Sequence, residues 1–139
     1  VSMKIIYCKS SSFAGLMIRF FTFSKWNHVA IEHNGIVIDS TGHGGVSACP
    51  KSEFFDKHKH VLVEEIKGVN NEAAWSFLKS QLGKGYDFRA IVALPFRKSW
   101  QDDTRWFCSE LVAAALIKGG RKLKIKSSRV TPRDLWVML

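Results

Sequence analysis

The sequence predicts an α+β domain in which a mostly antiparallel sheet is packed against helices, and three segments carry that expectation. HVAIEHNGIVIDS places two β-rich stretches on either side of Asn34-Gly35, the preferred pair for a two-residue type I′ turn, so it reads as a β-hairpin. Val61 to Ile66 alternates and is β-rich, which reads as a further strand. Cys108 to Lys118 sets Leu111, Val112, Ala115 and Leu116 on one side of a helix that Gly119-Gly120 stops. With 139 residues the chain has room for one core, so residues 1–139 are expected to form a single domain.

The remaining elements follow in chain order. Lys4 to Tyr7 (KIIY) reads as a short strand. Ser11 or Ser12 then caps a helix with Phe13, Leu16, Met17, Phe20 and Phe21 at helical spacing. After the hairpin, Thr41 to Pro50 holds three glycines and a proline and reads as a loop. His58 and His60 are expected to lie at the surface where the Val61 strand begins. Asn71 is the expected cap of a helix from about Glu72 to Leu82, ended by Gly83 and Gly85. Asp87 to Leu94 reads as helical up to Pro95, and Arg97 to Arg105 as a polar surface loop. Beyond the Cys108 helix, Lys122 to Ile125 reads as a strand, and Thr131-Pro132 opens a short terminal helix.

Composition narrows the function classes. Hydrophobic residues make up 46% of the chain and ten Phe and five Trp supply core material, which excludes global disorder. No apolar run approaches the roughly 20 residues of a membrane-spanning helix. No basic-then-apolar leader with a small-residue cleavage site is visible, so the expected location is the cytoplasm, or wherever an external system delivers the protein. Three cysteines, Cys8, Cys49 and Cys108, contain no CxxC pair and leave one over in any disulfide scheme, which suits a reducing compartment. His58 and His60 lack a nearby Cys or His pair to complete a zinc site, so neither metal nor cofactor is expected. The net charge of +9 implies attraction to something anionic, whether cell-wall polymer, phospholipid headgroups, nucleic acid or an acidic protein, unless it marks a solvated face that only aids solubility. Lys118, Arg121, Lys122, Lys124, Lys126 and Arg129 run without an acid between them. That run has no interleaved aromatics for base stacking, which disfavours nucleic acid.

The chemistry centres on Cys108. In FCSELVAAA it stands at a helix N-terminus, where unsatisfied N–H groups and the dipole favour a thiolate and offer donors to an oxyanion. Glu110, early in the same helix, suits a capping role. Turn parity supplies a base. With Asn34-Gly35 as the turn, Val29, Ile31 and Ile38 share the face expected to be buried. His28, Ala30 and Glu32 share the other with Val37, Asp39 and Thr41. His28 then lies opposite Thr41 and diagonal to Asp39, roughly 7–8 Å away between backbones, a gap that side chains bridge. An imidazole with a carboxylate at one nitrogen is the base-and-orienter half of a catalytic triad.

WNHVAIEHNGIVIDST followed much later by WFCSELVAAAL resembles the permuted branch of the NlpC-type, papain-like superfamily. The YiiX-like proteins and the lecithin:retinol acyltransferase group belong to that branch. There the His-bearing strand precedes the Cys-bearing helix, the reverse of papain and the order found here. Asn27 to Ile31 matches the His strand, and Phe107 to Leu111 the nucleophile motif. GKGYDF (Gly83 to Phe88) is similar to the segment before the nucleophile helix, and VTPRDL (Val130 to Leu135) to the closing motif. The resemblance implies a permuted papain-like fold with Cys108 as nucleophile, His28 as base and Asp39 as orienter. YiiX-like members place a Glu, and the acyltransferase group a second His, where Asp39 stands; Glu32 is the alternative orienter. Tyr86 is a candidate for the oxyanion site, and Trp26, close to His28, for an apolar substrate wall with Phe20, Phe21 and Phe23.

The expected enzyme is a cysteine hydrolase working through a thioester, an amidase or peptidase on cell-wall-type peptides. An acyltransferase or thioesterase-like enzyme on lipid acyl groups fits the same residues. A non-catalytic basic module that holds anionic lipid or nucleic acid is the alternative of a different class.

Overall fold

The computed structural model of the chain describes residues 2–9, 26, 28–41, 44–58, 61–86, 105–106, 108–122 and 135. The expected helices over 13–21 and 87–94, the loop over 97–104, the strand over 123–125 and most of the terminal helix lie outside them. So do the side chains of Phe20, Phe21 and Phe23.

The described elements are β1 (Lys4–Cys8), β2 (His28–His33), β3 (Ile36–Thr41), β4 (Gly45–Pro50), α1 (Lys51–Lys57), β5 (Val61–Glu65), α2 (Asn71–Ser80), β6 (Gly85–Tyr86), β7 (Arg105–Trp106) and α3 (Cys108–Lys118). Five strands form one antiparallel sheet in the order β4-β3-β2-β1-β5, and β6 and β7 form a separate two-stranded parallel pair. The architecture is therefore α+β. The hairpin turn sets the register: Asn34 and Gly35 both take positive φ, 52° and 82°, and His33 pairs with Ile36, Glu32 with Val37 and Ile31 with Ile38.

Helix α3 covers one face of the sheet. Its Leu111, Val112, Ala115 and Leu116 pack with Val29, Ile31 and Ile38, with Met3 and with Ile5 and Tyr7 of β1, and with Ala74 and Leu78 of α2. The opposite face was expected to be the open one, and it is closed as well. Ile6, Cys8, Ala30 and Val37 are buried there beneath Phe54 of α1. The sequence carried a trace of this, since Ala30 and Val37 are apolar on the face read as polar.

Three local expectations need correction. The segment read as a loop over 41–50 is in large part an edge strand. β4 pairs with β3 from Ile36↔Pro50 to Thr41↔Gly45, and Pro50 sits at its end, where a missing N–H costs little. Gly45 (φ +62°) lets β4 touch the chain beyond α2: an added Cβ would lie 2.2 Å from the Lys84 carbonyl oxygen. That carbonyl accepts from the Val46 N–H at 2.7 Å. Second, a short helix, α1, precedes β5, where the sequence suggested only a strand approach. Third, the cap of α2 is Asn70 rather than Asn71: its side-chain oxygen accepts from the Ala73 N–H at 3.1 Å.

Candidate functional site

The site lies at one end of the sheet, where β1 finishes and β2 begins. Cys8 is the last residue of β1 and pairs with His28, the first of β2. Paired residues point to the same face, so Cys8 and His28 both face the α1 side. Asp39 shares that face by parity. Its Oδ2 accepts a hydrogen bond from His28 Nε2 at 2.8 Å, and both residues are buried. A carboxylate can only accept here, so Nε2 carries the proton and Nδ1 is the nitrogen left open to a second partner.

Cys108 meets His28 from the other side. It is the first residue of α3 and is buried in the core of the α3 face. Its thiol lies within hydrogen-bonding reach of the His28 ring. Burial alone would push the His28 pKa down. The Cys108 charge and the hydrogen bonds to Asp39 and Cys108 outweigh it and hold the imidazole well above its ordinary range.

A second cysteine and a second histidine, neither expected from the sequence, also stand at this ring. Burial pushes the Cys8 thiol up to about 12, so it is a neutral thiol, with His28 nearby as the chief opposing influence. His58 follows α1 directly, with its ring stacked on Phe54 at 4.2 Å and 5.8 Å from the His28 ring. Its Nδ1 lies 3.0 Å from the Phe54 carbonyl oxygen and donates to it, which leaves Nε2 free. Burial lowers the His58 pKa, so its ring is neutral. One ligand atom from each of Cys8, His28 and His58 lies within 4.8 Å of the others. This cluster bears on the expectation that no metal would bind: thiol and imidazole are the donors zinc prefers.

The other candidates fall out differently. Glu32, the alternative orienter, accepts from the Gly35 N–H at 3.0 Å and so ties down the hairpin turn. Trp26 is buried in the core of the α3 face. The backbone of Tyr86 pairs with Trp106, while its side chain lies outside the described residues. Glu110 is buried in the first turn of α3. Of the basic run, Lys118 Nζ lies over the Phe77 ring at 5.9 Å, and Arg121 Nη1 donates to the Lys67 carbonyl at 2.9 Å. Lys122 is exposed, and Lys124, Lys126 and Arg129 lie outside the described residues. No helix among the described residues is long and apolar enough to cross a membrane.

No family model matches the sequence, and no curated protein matches it. Among solved structures, the fold is similar to that of YiiX from Escherichia coli O157:H7, a DUF1105 protein described as a metalloprotein. The TM-score is 0.66 at 23% sequence identity. The match covers 85% of this chain and 65% of YiiX, so this chain spans about two thirds of that protein. The fold of this chain is YiiX-like.

Proposed function

We propose that this protein is a cysteine-nucleophile hydrolase of the permuted papain-like kind, with Cys108 as nucleophile, His28 as general base and acid, and Asp39 as orienter. The observation that carries the reading is the buried run from the Asp39 carboxylate through the His28 ring to the Cys108 thiol at the start of α3. A nucleophile, a base within reach and a third group fixing the base are the parts that nucleophilic catalysis requires.

In this reading Cys108 Sγ attacks a substrate carbonyl carbon and its proton passes to His28. The carbonyl oxygen becomes an oxyanion, for which the backbone N–H groups at the start of α3 are the candidate donors. Collapse of this intermediate breaks the amide bond. The amine leaves with the proton from His28, and the acyl group stays on Cys108 as a thioester. Water attacks the thioester, gives a proton to His28 and releases the acid, and the thiol is restored. Asp39 keeps the ring in one orientation and stabilises its charged form throughout. The substrate class is a peptide amide of the cell-wall type, which suits a protein of net charge +9 facing an anionic polymer. A metal ion, such as the word metalloprotein implies for YiiX, would supply a Lewis acid, and Cys8, His28 and His58 are the donors that fit one here. The hydrolytic steps need none.

The test is intact-mass spectrometry of the protein during turnover of a panel of peptide amides, in the presence of a chelator. An acyl adduct on Cys108 in the wild type and none in His28→Ala is the expected result. Turnover by Cys108→Ala at the wild-type rate would overturn the assignment.

A further inference from the structure

The His28 ring has two neighbourhoods, and the hydrolytic reading uses only one. Toward α3 it meets Cys108. Toward α1 it meets Cys8 and His58, which the proposed mechanism leaves idle. The geometry on that side points to a ligand in two independent ways.

The first is the donor cluster. A tetrahedral zinc ion with bonds of about 2.0–2.3 Å sets its ligand atoms roughly 3.3–3.8 Å apart. The three candidate donors already lie within 4.8 Å of one another, so a contraction of about 1 Å brings them to bonding distance. His58 lies just past the end of α1 and is only partly buried, which gives its ring room for that shift.

The second is the shell behind the donors. Metal-binding histidines characteristically give their other N–H to a carboxylate or a backbone carbonyl, which fixes the ring and the tautomer. Both histidines do so. His28 Nε2 donates to Asp39 at 2.8 Å, and His58 Nδ1 donates to the Phe54 carbonyl at 3.0 Å. His58 therefore offers Nε2 with no bond to break, whereas His28 offers Nδ1 only by giving up Cys108. The set of one thiolate and two neutral imidazoles suits zinc and its transition-metal neighbours over magnesium or calcium, which take oxygen ligands.

We propose that Cys8, His28 and His58 bind one zinc-like divalent ion, and that this ion and the Cys108–His28 pair exclude each other because both require His28 Nδ1. Binding releases protons to solvent: one from the Cys8 thiol, which becomes a thiolate bonded to the metal, and one from His28 Nδ1 where the ring is in its charged form. With the metal in place, His28 has no free nitrogen with which to serve Cys108. The binding half of the proposal stands on the cluster alone, and the exclusion half rests on the hydrolase reading.

The experiment uses the full chain stripped of metal by a chelator and then freed of it. Cobalt(II) is titrated in and followed by absorption, since a thiolate ligand gives a near-ultraviolet charge-transfer band and tetrahedral coordination gives strong visible bands. Zinc is titrated in parallel by calorimetry. One equivalent of either ion is expected, with the thiolate band present in the wild type and lost in Cys8→Ser. His58→Ala removes a ligand and is expected to weaken binding by more than the roughly 10–100-fold that loss of an outer-shell partner costs. Because Cys8 is buried and its substitution can unfold the protein, His58→Ala is the decisive variant, checked for folding by circular dichroism. Absence of a stoichiometric site in the wild type, or equal affinity in folded His58→Ala, would overturn the binding proposal. For exclusion, alkylation of Cys108 by iodoacetamide is timed with and without one equivalent of zinc. Protection in the wild type and none in His58→Ala is expected. Zinc bound with Cys108 alkylated at an unchanged rate would overturn exclusion and leave the site standing. A Cys108 no more reactive than Cys49 in the metal-free protein would count against the hydrolase reading instead.

Discussion

The two faces of the sheet are built differently, and His28 stands where they meet. The α3 face is the broad one, where an eleven-residue helix buries Leu111, Val112, Ala115 and Leu116 against three strands and against α2. The α1 face is narrow, closed by a seven-residue helix that contributes a single fully buried side chain, Phe54. Each face brings one cysteine to His28. Cys108 comes at the N-terminus of a helix, where the backbone N–H groups point along the helix axis toward its sulfur end. Cys8 comes at the end of a strand paired on both sides, to His28 and to Val61. Burial accordingly leaves Cys8 a thiol, pushed up to about 12. The difference teaches that proximity to a histidine does not make a nucleophile. In the proposed reading, the backbone around the sulfur is what separates a sulfur placed for attack from one placed to hold a metal.

The largest test of this contrast removes the helix-borne sulfur. Cys108→Ala is expected to lower turnover of a peptide amide by roughly 10³-fold or more, to the background rate. The fold should persist, because the substitution removes one sulfur from the edge of the α3 core. If Cys108→Ala retained activity, the helix end would lose its special status and Cys8 would have to be reconsidered as the nucleophile.

Next comes the pivot itself. Asp39→Asn keeps the size of the side chain but replaces an acceptor-only carboxylate with an amide able to present a donor, so the ring tautomer is no longer fixed. The expected loss is roughly 10²–10⁴-fold in kcat, with a much smaller change in KM. Asp39→Glu should recover part of it. A packing role for Asp39 would instead appear as a fall in thermal stability with kcat unchanged.

How much of this arrangement the sequence discloses differs between the faces in the same way. The His28–Asp39 diagonal is legible because two consecutive positive-φ residues fix the hairpin register, and register fixes which side chains share a face. The α3 helix is legible because its apolar residues recur over three turns. The α1 face is not. Phe54 and His58 are four apart, but one seven-residue helix after a proline is too short for periodicity to separate it from a loop. One of the glycines that suggest a loop over 41–50 serves a close approach instead, Gly45 against Lys84. Parity placed Glu32 beside His28, and local chemistry took it away, since the nearby Gly35 N–H was the better partner. His58 reaches His28 only through the crossing of α1 over the sheet, a tertiary fact with no local signature.

The narrow face can be loosened on its own. Phe54→Ala removes the one large side chain that closes it over Ile6, Ala30 and Val37. The expected cost is about 3–5 kcal/mol, read from urea denaturation. His58 loses its stacking partner in the same change, so cobalt binding should weaken even where the folded fraction is corrected for. An unaltered cobalt affinity would show that α1 positions His58 through its backbone alone.

The smallest effect belongs to the broad face and calibrates the rest. Asn70 caps α2 through the Ala73 N–H, and α2 supports α3 by burying Ala74 and Leu78 in the shared core. Asn70→Ala should cost about 1 kcal/mol, as loss of a helix cap ordinarily does. That loss should appear in the urea midpoint and nowhere else, because the cap touches neither His28 nor its neighbours. If this variant shifted Cys108 alkylation by more than the change in folded fraction, α3 would be responding to α2 as a lever. The broad face would then be adjustable, and the nucleophile end of the site no more rigid than the metal end.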